Sequence, residues 1–221
     1  GLSVLTVGTA MAQKVHTSYL WHMDQPVYWA DKSKDKPDSK QFAEESHRLK
    51  MNGSNMYPGS VAAHPTNNLE EIFGKADRVQ AYQYVPRDAV NSIRDLPNAG
   101  AQLSISAGLL ENMQSLGAKN QWGYTAGWMN AYKDAIAWKT GGNLPRLDVV
   151  TFTYDHALSP LVSERTLIKQ IKAHQYVSNK YYGYTSKGYW PAECAFSERI
   201  IKALVSCGVE WSVVPNSHLA R

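Results

Sequence analysis

The chain has 221 residues, 43% of them hydrophobic and 19% charged, a globular composition that excludes disorder and coiled coil. Its 23 Lys and Arg against 19 Asp and Glu leave a formal net charge of +4 with no basic stripe, which argues against nucleic acid as a partner. No run of about 18 apolar residues suits a membrane span, and the two cysteines, Cys194 and Cys207, are too few for a disulfide framework or a zinc ribbon.

The predicted elements begin with a segment set apart from the fold. Residues 2–11 are mildly apolar, and Ala10-Met11-Ala12 has the small-x-small form of a signal-peptidase site. Residues 1–12 are therefore read as the remnant of an export signal, with 13–221 as the mature domain, secreted or periplasmic. The alternative is a first strand. The β-branched and aromatic run at 15–21 predicts a buried strand. Residues 31–65, rich in Lys, Asp, Ser and Gly, are expected to form a long irregular insertion.

A helix is predicted after Asn68, with Leu69, Ile72, Phe73 and Ala76 on one face. Residues 101–107 read as a second strand, followed by a short helix closed by Gly117. A longer helix over 125–139 carries Trp128, Ala131, Tyr132, Ala135 and Trp138 as its apolar stripe. Residues 147–153 read as a third strand, and Ser163 caps a helix that ends at Gly183. Residues 187–191 form a fourth strand, Ser197 starts another helix stopped by Gly208, and 209–214 form a fifth strand. Strand-helix alternation with buried strands implies a parallel sheet, either doubly wound or a (β/α) barrel. Five strands do not close a barrel, so the pattern is expected to be incomplete at the C-terminus.

Parallel α/β folds carry their chemistry at the carboxyl ends of the strands. There the sequence places His22, Asp24 and Gln25, then Ser106 and Gly108, then Asp155 and His156, then Glu193, then Asn216 and His218. Glu193 follows an aromatic strand, where Trp190 and Pro191 are expected to wall it in. Such a carboxylate serves as an acid with a raised pKa or as a positioned nucleophile, or it pairs structurally with an Arg such as Arg199. His22 and Asp24, at i and i+2, point the same way. They suit either one metal ion or sugar hydroxyls, with Gln25 and Tyr28 extending the pocket. No GxSxG, GxGxxG or GxxxxGK[ST] pattern occurs, so serine-hydrolase, dinucleotide and phosphate-loop chemistry lack support. The 13 Tyr and 7 Trp against 4 Phe suit stacking on a flat polar ligand such as a sugar, and equally a Tyr-rich core.

Four segments taken in order, WHMDQPVYW (21–29), LSISAGLLENM (103–113), LDVVTFTYDHALSPLV (147–162) and GYWPAECAFS (188–197), resemble the conserved segments of glycoside hydrolase family 57. The resemblance implies an irregular, seven-stranded parallel (β/α) barrel and a retaining hydrolase or transglycosidase acting on α-linked glucan, with oligo- or polysaccharide as partner and no cofactor. It further implies Glu193 as nucleophile, three residues after Trp190. A general-acid Asp is expected after a seventh strand, beyond Arg221, so residues 13–221 alone are expected to be inactive. His22, Asp24, Gln25, His156 and Trp190 are expected to shape the reacting-sugar subsite, with Tyr28 and Trp29 stacking on neighbouring sugars. The family's first segment usually reads His-x-His-Gln-Pro, and Asp24 replaces its second His. That departure suggests altered specificity and keeps open a zinc-dependent, mannosidase-like or deacetylase-like alternative on His22 and Asp24. A non-catalytic carbohydrate-binding barrel is the third reading.

Overall fold

The computed structural model describes residues 17–27, 29–30, 40–51 and 68–216. Its elements in chain order are β1 (Leu20–Met23), β2 (Trp29–Ala30), β3 (Lys40–Gln41), α1 (Ala43–Met51), α2 (Leu69–Gly74), α3 (Ala76–Gln83), α4 (Val85–Asn91), β4 (Ala101–Ile105) and α5 (Ala107–Ala118). They continue with α6 (Met129–Ala137), β5 (Leu147–Val150), α7 (Glu164–Tyr182), β6 (Gly188–Tyr189), α8 (Ile201–Ser206) and β7 (Trp211–Ser212). No helix among the described residues is long and apolar enough to cross a membrane.

Five of these strands run parallel in chain order. β1 pairs with β4, with Leu20 opposite Gln102 and Met23 opposite Ile105. β4 pairs with β5, and β6 with β7. A single parallel bridge, Thr151 to Tyr189, joins the two groups. It consists of the Thr151 N–H donating to the Gly188 carbonyl at 2.8 Å and the Trp190 N–H donating to the Thr151 carbonyl at 3.1 Å. β2 and β3 form a separate antiparallel pair.

Alternation along the strands separates two apolar layers. Leu103, Ile105, Leu147 and Val149 enter the main core, which Leu109, Leu110 and Met113 of α5, Tyr132 of α6 and Val177 and Tyr181 of α7 complete. On the opposite face Val150, Phe152, Trp190 and Ala192 form a smaller cluster, with Leu20, Cys194 and Val213 against it. The candidate chemistry stands on this second face. Ser106 caps α5 by accepting from the Leu109 N–H, Ser163 caps α7 by accepting from the Thr166 N–H, and Gly183 ends α7 in the left-handed conformation at φ 67°. Ser163 and Gly183 hold the cap positions expected of them, and Ser106, expected within the second strand, uses the same cap chemistry.

His174, on α7, is buried at 1% exposure between the helix layer and the sheet. Its Nδ1 accepts from the Phe152 N–H at 3.3 Å, and its Nε2–H donates to the Ile105 carbonyl at 2.8 Å. The ring thus clips the end of β4 to the extension of β5. Burial pushes its pKa down to about 4.

Several sequence expectations shift. The helix expected after Asn68 is three helices, because the backbone is extended at Lys75 (ψ 133°) and Pro86 opens α4. Part of the 31–65 segment expected to be irregular is α1, which begins on the buried Ala43 and carries Glu44 and Glu45 in its first turn. Acidic side chains there suit the positive end of the helix dipole. The Ala43 N–H donates to Asn112 Oδ1 of α5 at 2.8 Å, a tertiary anchor that local composition does not reveal. The helix expected at 125 starts at Met129, and the strands are shorter than their apolar runs. The expected signal remnant at 1–12 lies outside the described residues.

Candidate active site

Three strand ends converge through side chains. His22, on β1, is held by its cross-strand neighbour on β4, with His22 Nδ1 3.3 Å from Ser104 Oγ. Its ring packs on Trp190 (centroids 4.3 Å apart), Phe152 (5.4 Å) and His156 (5.0 Å). His156, after β5, places Nε2 3.0 Å from His22 Nε2 and 3.3 Å from Glu193 Oε1. Glu193 follows β6 in a 3-10 turn, Ala192–Cys194, with φ 55° and ψ 24°.

The pairings fix the protons. Two imidazole nitrogens 3.0 Å apart share one hydrogen. With that hydrogen on His156 Nε2, it faces both His22 Nε2 and the Glu193 carboxylate. On His22 instead, it would leave a His156 lone pair against the carboxylate. His22 is then protonated at Nδ1, donates to Ser104, and offers Nε2 as an acceptor. Burial, and next the His156 charge, lower the His22 pKa, while Asp24 and Glu193 oppose them. At neutral pH His22 is therefore uncharged.

The backbone presents Glu193 in an unusual way. Glu193 and Cys194 are consecutive non-glycine residues in the left-handed region, both at φ 55°. Such conformations cost about 1–3 kcal/mol each and cluster at functional sites. The turn carries the Glu193 side chain into solvent, where it is 68% exposed. This corrects the expectation that Trp190 and Pro191 wall the carboxylate in. The alternative of pairing with Arg199 is replaced by the contact with His156.

Trp190 is 8% exposed and packs in the small inner cluster, so it acts on the site through the faces it offers to His22 and Phe152. Trp190→Ala is expected to cost about 3–5 kcal/mol of folding stability, the usual range for emptying a buried large aromatic. Urea unfolding followed by circular dichroism checks this; a loss under about 1 kcal/mol would place the ring outside the core.

Beside His156 lies a cavity of about 340 Å³, lined among others by Asp24, Gln25, Gly108, Tyr154 and Asp155. Gly108 lets the loop after β1 approach closely, since a Cβ there would lie 3.1 Å from the Gln25 carbonyl oxygen, a tight contact. Gln25 donates to Tyr82 Oη at 3.0 Å, and Asn112 Nδ2 donates to the Pro26 carbonyl at 3.0 Å. Asn112 therefore ties the loop after β1 to α1 through its two amide atoms. Asp155 is clamped twice by Gln170, whose Oε1 accepts from the Asp155 N–H at 2.9 Å and whose Nε2 donates to Oδ2 at 3.2 Å. The Tyr154 hydroxyl donates to the Glu111 carboxylate.

The structure thus brings His22, Asp24, Gln25, His156, Trp190 and Glu193 into one neighbourhood. Tyr28 lies outside the described residues, and Trp29 is described only as backbone of β2. Ser104, Phe152 and Gln170 were not singled out in the sequence. For Ser104 and Phe152 a signal existed: each alternates with residues of the opposite face, Leu103 and Ile105 for the first, Thr151 and Thr153 for the second. Among the described residues no group of three or more His, Cys, Asp or Glu side chains is arranged to hold a metal ion. His22 and Asp24 therefore lack a third protein donor there for zinc.

The sequence model of glycosyl hydrolase family 57 matches residues 19–219, and the chain belongs to that family. An alpha-amylase of Niallia circulans is 27% identical over 244 residues, covering 100% of this chain and 19% of its own length. The 4-alpha-glucanotransferase from Thermococcus litoralis shares the fold at a TM-score of 0.55 and 15% identity, over 91% of this chain and 22% of that one. A family 57 branching enzyme from Pyrococcus horikoshii superposes at a TM-score of 0.48 with 14% identity, over 88% of this chain and 40% of that one. The chain thus spans about a fifth of the lengths of the amylase and the glucanotransferase.

Proposed function

We propose that this member of glycosyl hydrolase family 57 supplies the nucleophile side of a retaining glycosidase or transglycosidase acting on α-linked glucan, with Glu193 as the nucleophile. The observation that carries the reading is His156 Nε2 lying 3.3 Å from Glu193 and 3.0 Å from His22, which joins three strand ends around one exposed carboxylate. The amylase relative supports glucan as the substrate class. The seven-stranded barrel and a secreted or periplasmic location belong to the same proposal.

In the proposed reaction a Glu193 oxygen attacks the anomeric carbon as the bond to the leaving oxygen breaks. A carboxylic acid at another strand end, about 5–5.5 Å away as retention requires, protonates that oxygen. Water or a sugar hydroxyl then attacks the glycosyl ester, delivers its proton to the same acid group and releases Glu193. The His156 Nε2–H orients the carboxylate for attack. His22, whose Nε2 faces that same N–H, backs the His156 ring, and Asp24 and Gln25 border the cavity beside it.

The test is trapping. The full-length polypeptide is incubated with a 2-deoxy-2-fluoroglucosyl fluoride, whose glycosyl ester turns over slowly, then digested and examined by mass spectrometry. The expected result is a fluoroglucosyl adduct on the peptide containing Glu193. An adduct on another carboxylate would remove Glu193 from the role.

A further inference from the structure

The inner face of the sheet is layered along its strands. The middle layer is apolar, with Leu20, Val150, Trp190 and Val213 in one cluster. His22 stands two residues beyond Leu20, toward the carboxyl ends. Toward the amino ends lies a second cavity of about 460 Å³, lined among others by Ser18, Gln102, Asp148 and Trp211. At about 3.3 Å per extended residue, Ser18 and His22 are roughly 13 Å apart along the chain, with the apolar layer between them. This cavity is therefore a separate place from the His22, His156 and Glu193 cluster.

Trp211 of β7 stands opposite Gly188 of β6. A Cβ at Gly188 would collide with the indole, so only glycine lets the ring lie against the β6 backbone. Trp211 nevertheless stays 37% exposed on the cavity side. The polar groups beside it are half used. Ser18 Oγ donates to Gln102 Oε1 at 2.8 Å, and the Tyr184 hydroxyl donates to Asp148 Oδ1 at 2.9 Å. Both side chains are thereby oriented, and among the described residues Gln102 Nε2 and Asp148 Oδ2 have no further partner. Gln102 and Asp148 are cross-strand neighbours. Lys187 and Glu210, at the rim, lie 2.6 Å apart and neutralise each other.

We propose that this cavity is a second, non-catalytic carbohydrate site. A pyranose ring stacks on Trp211, Gln102 Nε2 donates to one of its hydroxyls, and Asp148 Oδ2 accepts from the adjacent one. A pyranose has an apolar C–H face and a hydroxylic rim, which suits an indole flanked by one fixed donor and one charged acceptor. The inference rests on the glucan reading for which sugar arrives, and on the cavity itself for the place. A glucan strand held here is tethered to the protein without approaching Glu193.

The experiment is fluorine NMR of the full-length Glu193→Gln protein labelled with 5-fluorotryptophan, with the Trp211 signal assigned by Trp211→Phe. Maltotetraose is the ligand, and sorbitol is the control that has hydroxyls but no ring. The expected result is a saturable shift of the Trp211 signal with maltotetraose and none with sorbitol. Gln102→Ala should raise the midpoint of that shift about fivefold, the scale of losing one hydrogen bond. The Gln102 arm reads any indole signal that saturates, so it stands if Trp211→Phe folds poorly. A Trp211 signal that maltotetraose leaves in place, one that sorbitol moves equally, or a midpoint that Gln102→Ala leaves unchanged overturns the inference. Failure of the nucleophile assignment shows instead as shorter sugars released during the titration, and the Trp211 shift still decides this site.

Discussion

Glu193→Gln in the full-length polypeptide is expected to lower kcat on maltooligosaccharides by at least about four orders of magnitude, the scale of removing a covalent nucleophile. Glucan affinity should change by less than about threefold, because the amide keeps the size and one acceptor oxygen. Folding should be nearly unchanged, since the side chain is 68% exposed and its partner His156 is a surface-facing imidazole contact. The amide cannot form a glycosyl ester. Steady-state kinetics with calorimetric binding separates the two effects, and turnover within tenfold of the parent would disprove the assignment.

The second large effect concerns stability and acid. His174 takes up a proton at the ordinary value of 6.5 when unfolded and only at about 4 when folded. Between those values the unfolded chain binds more protons, so stability is whole above about pH 6.5, falls as the pH drops toward 4, and falls no further below it. At 1.36 kcal/mol per pH unit the loss is about 3 kcal/mol. The structural cause is the clip itself: a protonated ring would aim a second N–H at the Phe152 N–H, donor against donor. His174→Gln should be less stable than the parent at pH 7.5 by about 2 kcal/mol, and its stability should decline less between pH 7.5 and 4.5. Urea unfolding at the two pH values, compared between the two proteins, isolates this residue from the other titrating groups. Parallel declines would show that His174 does not set the acid limit.

The parallel strand pattern and the strand-end residues were legible in the sequence because both follow from local periodicity. Ser163 and Gly183 announced their helix ends through side-chain and backbone chemistry that acts within four residues, whereas Ser106, read as part of the second strand, turned out to cap α5. His22, His156 and Glu193 were legible as separate strand-end candidates, and the family resemblance singled out Glu193. What stayed hidden is long-range. The Asn112 link from α1 to the loop after β1, the Gln170 clamp on Asp155 and the His174 clip all join residues whose relation appears only once the sheet has formed. The exposure of Glu193 was misjudged for a related reason. Neighbouring Trp190 and Pro191 suggested shelter, whereas two left-handed residues in succession turn the carboxylate away from them. Spacing in a strand predicts alternation, and a backbone reversal cancels it.

The pairing of β1 with β4 has a consequence in time. Leu20 finds its ladder partner only at Gln102. On a ribosome adding about 5–20 residues per second, the first strand waits roughly 4–16 s before its neighbour is made. During that interval its edge is open, and His22 meets neither Ser104 nor His156. The neighbourhood of His22, His156 and Glu193 is therefore a late product of synthesis, assembled only after the turn bearing Glu193 has emerged. A nascent chain halted earlier would carry the imidazole of β1 without the His156–Glu193 pair it packs beside.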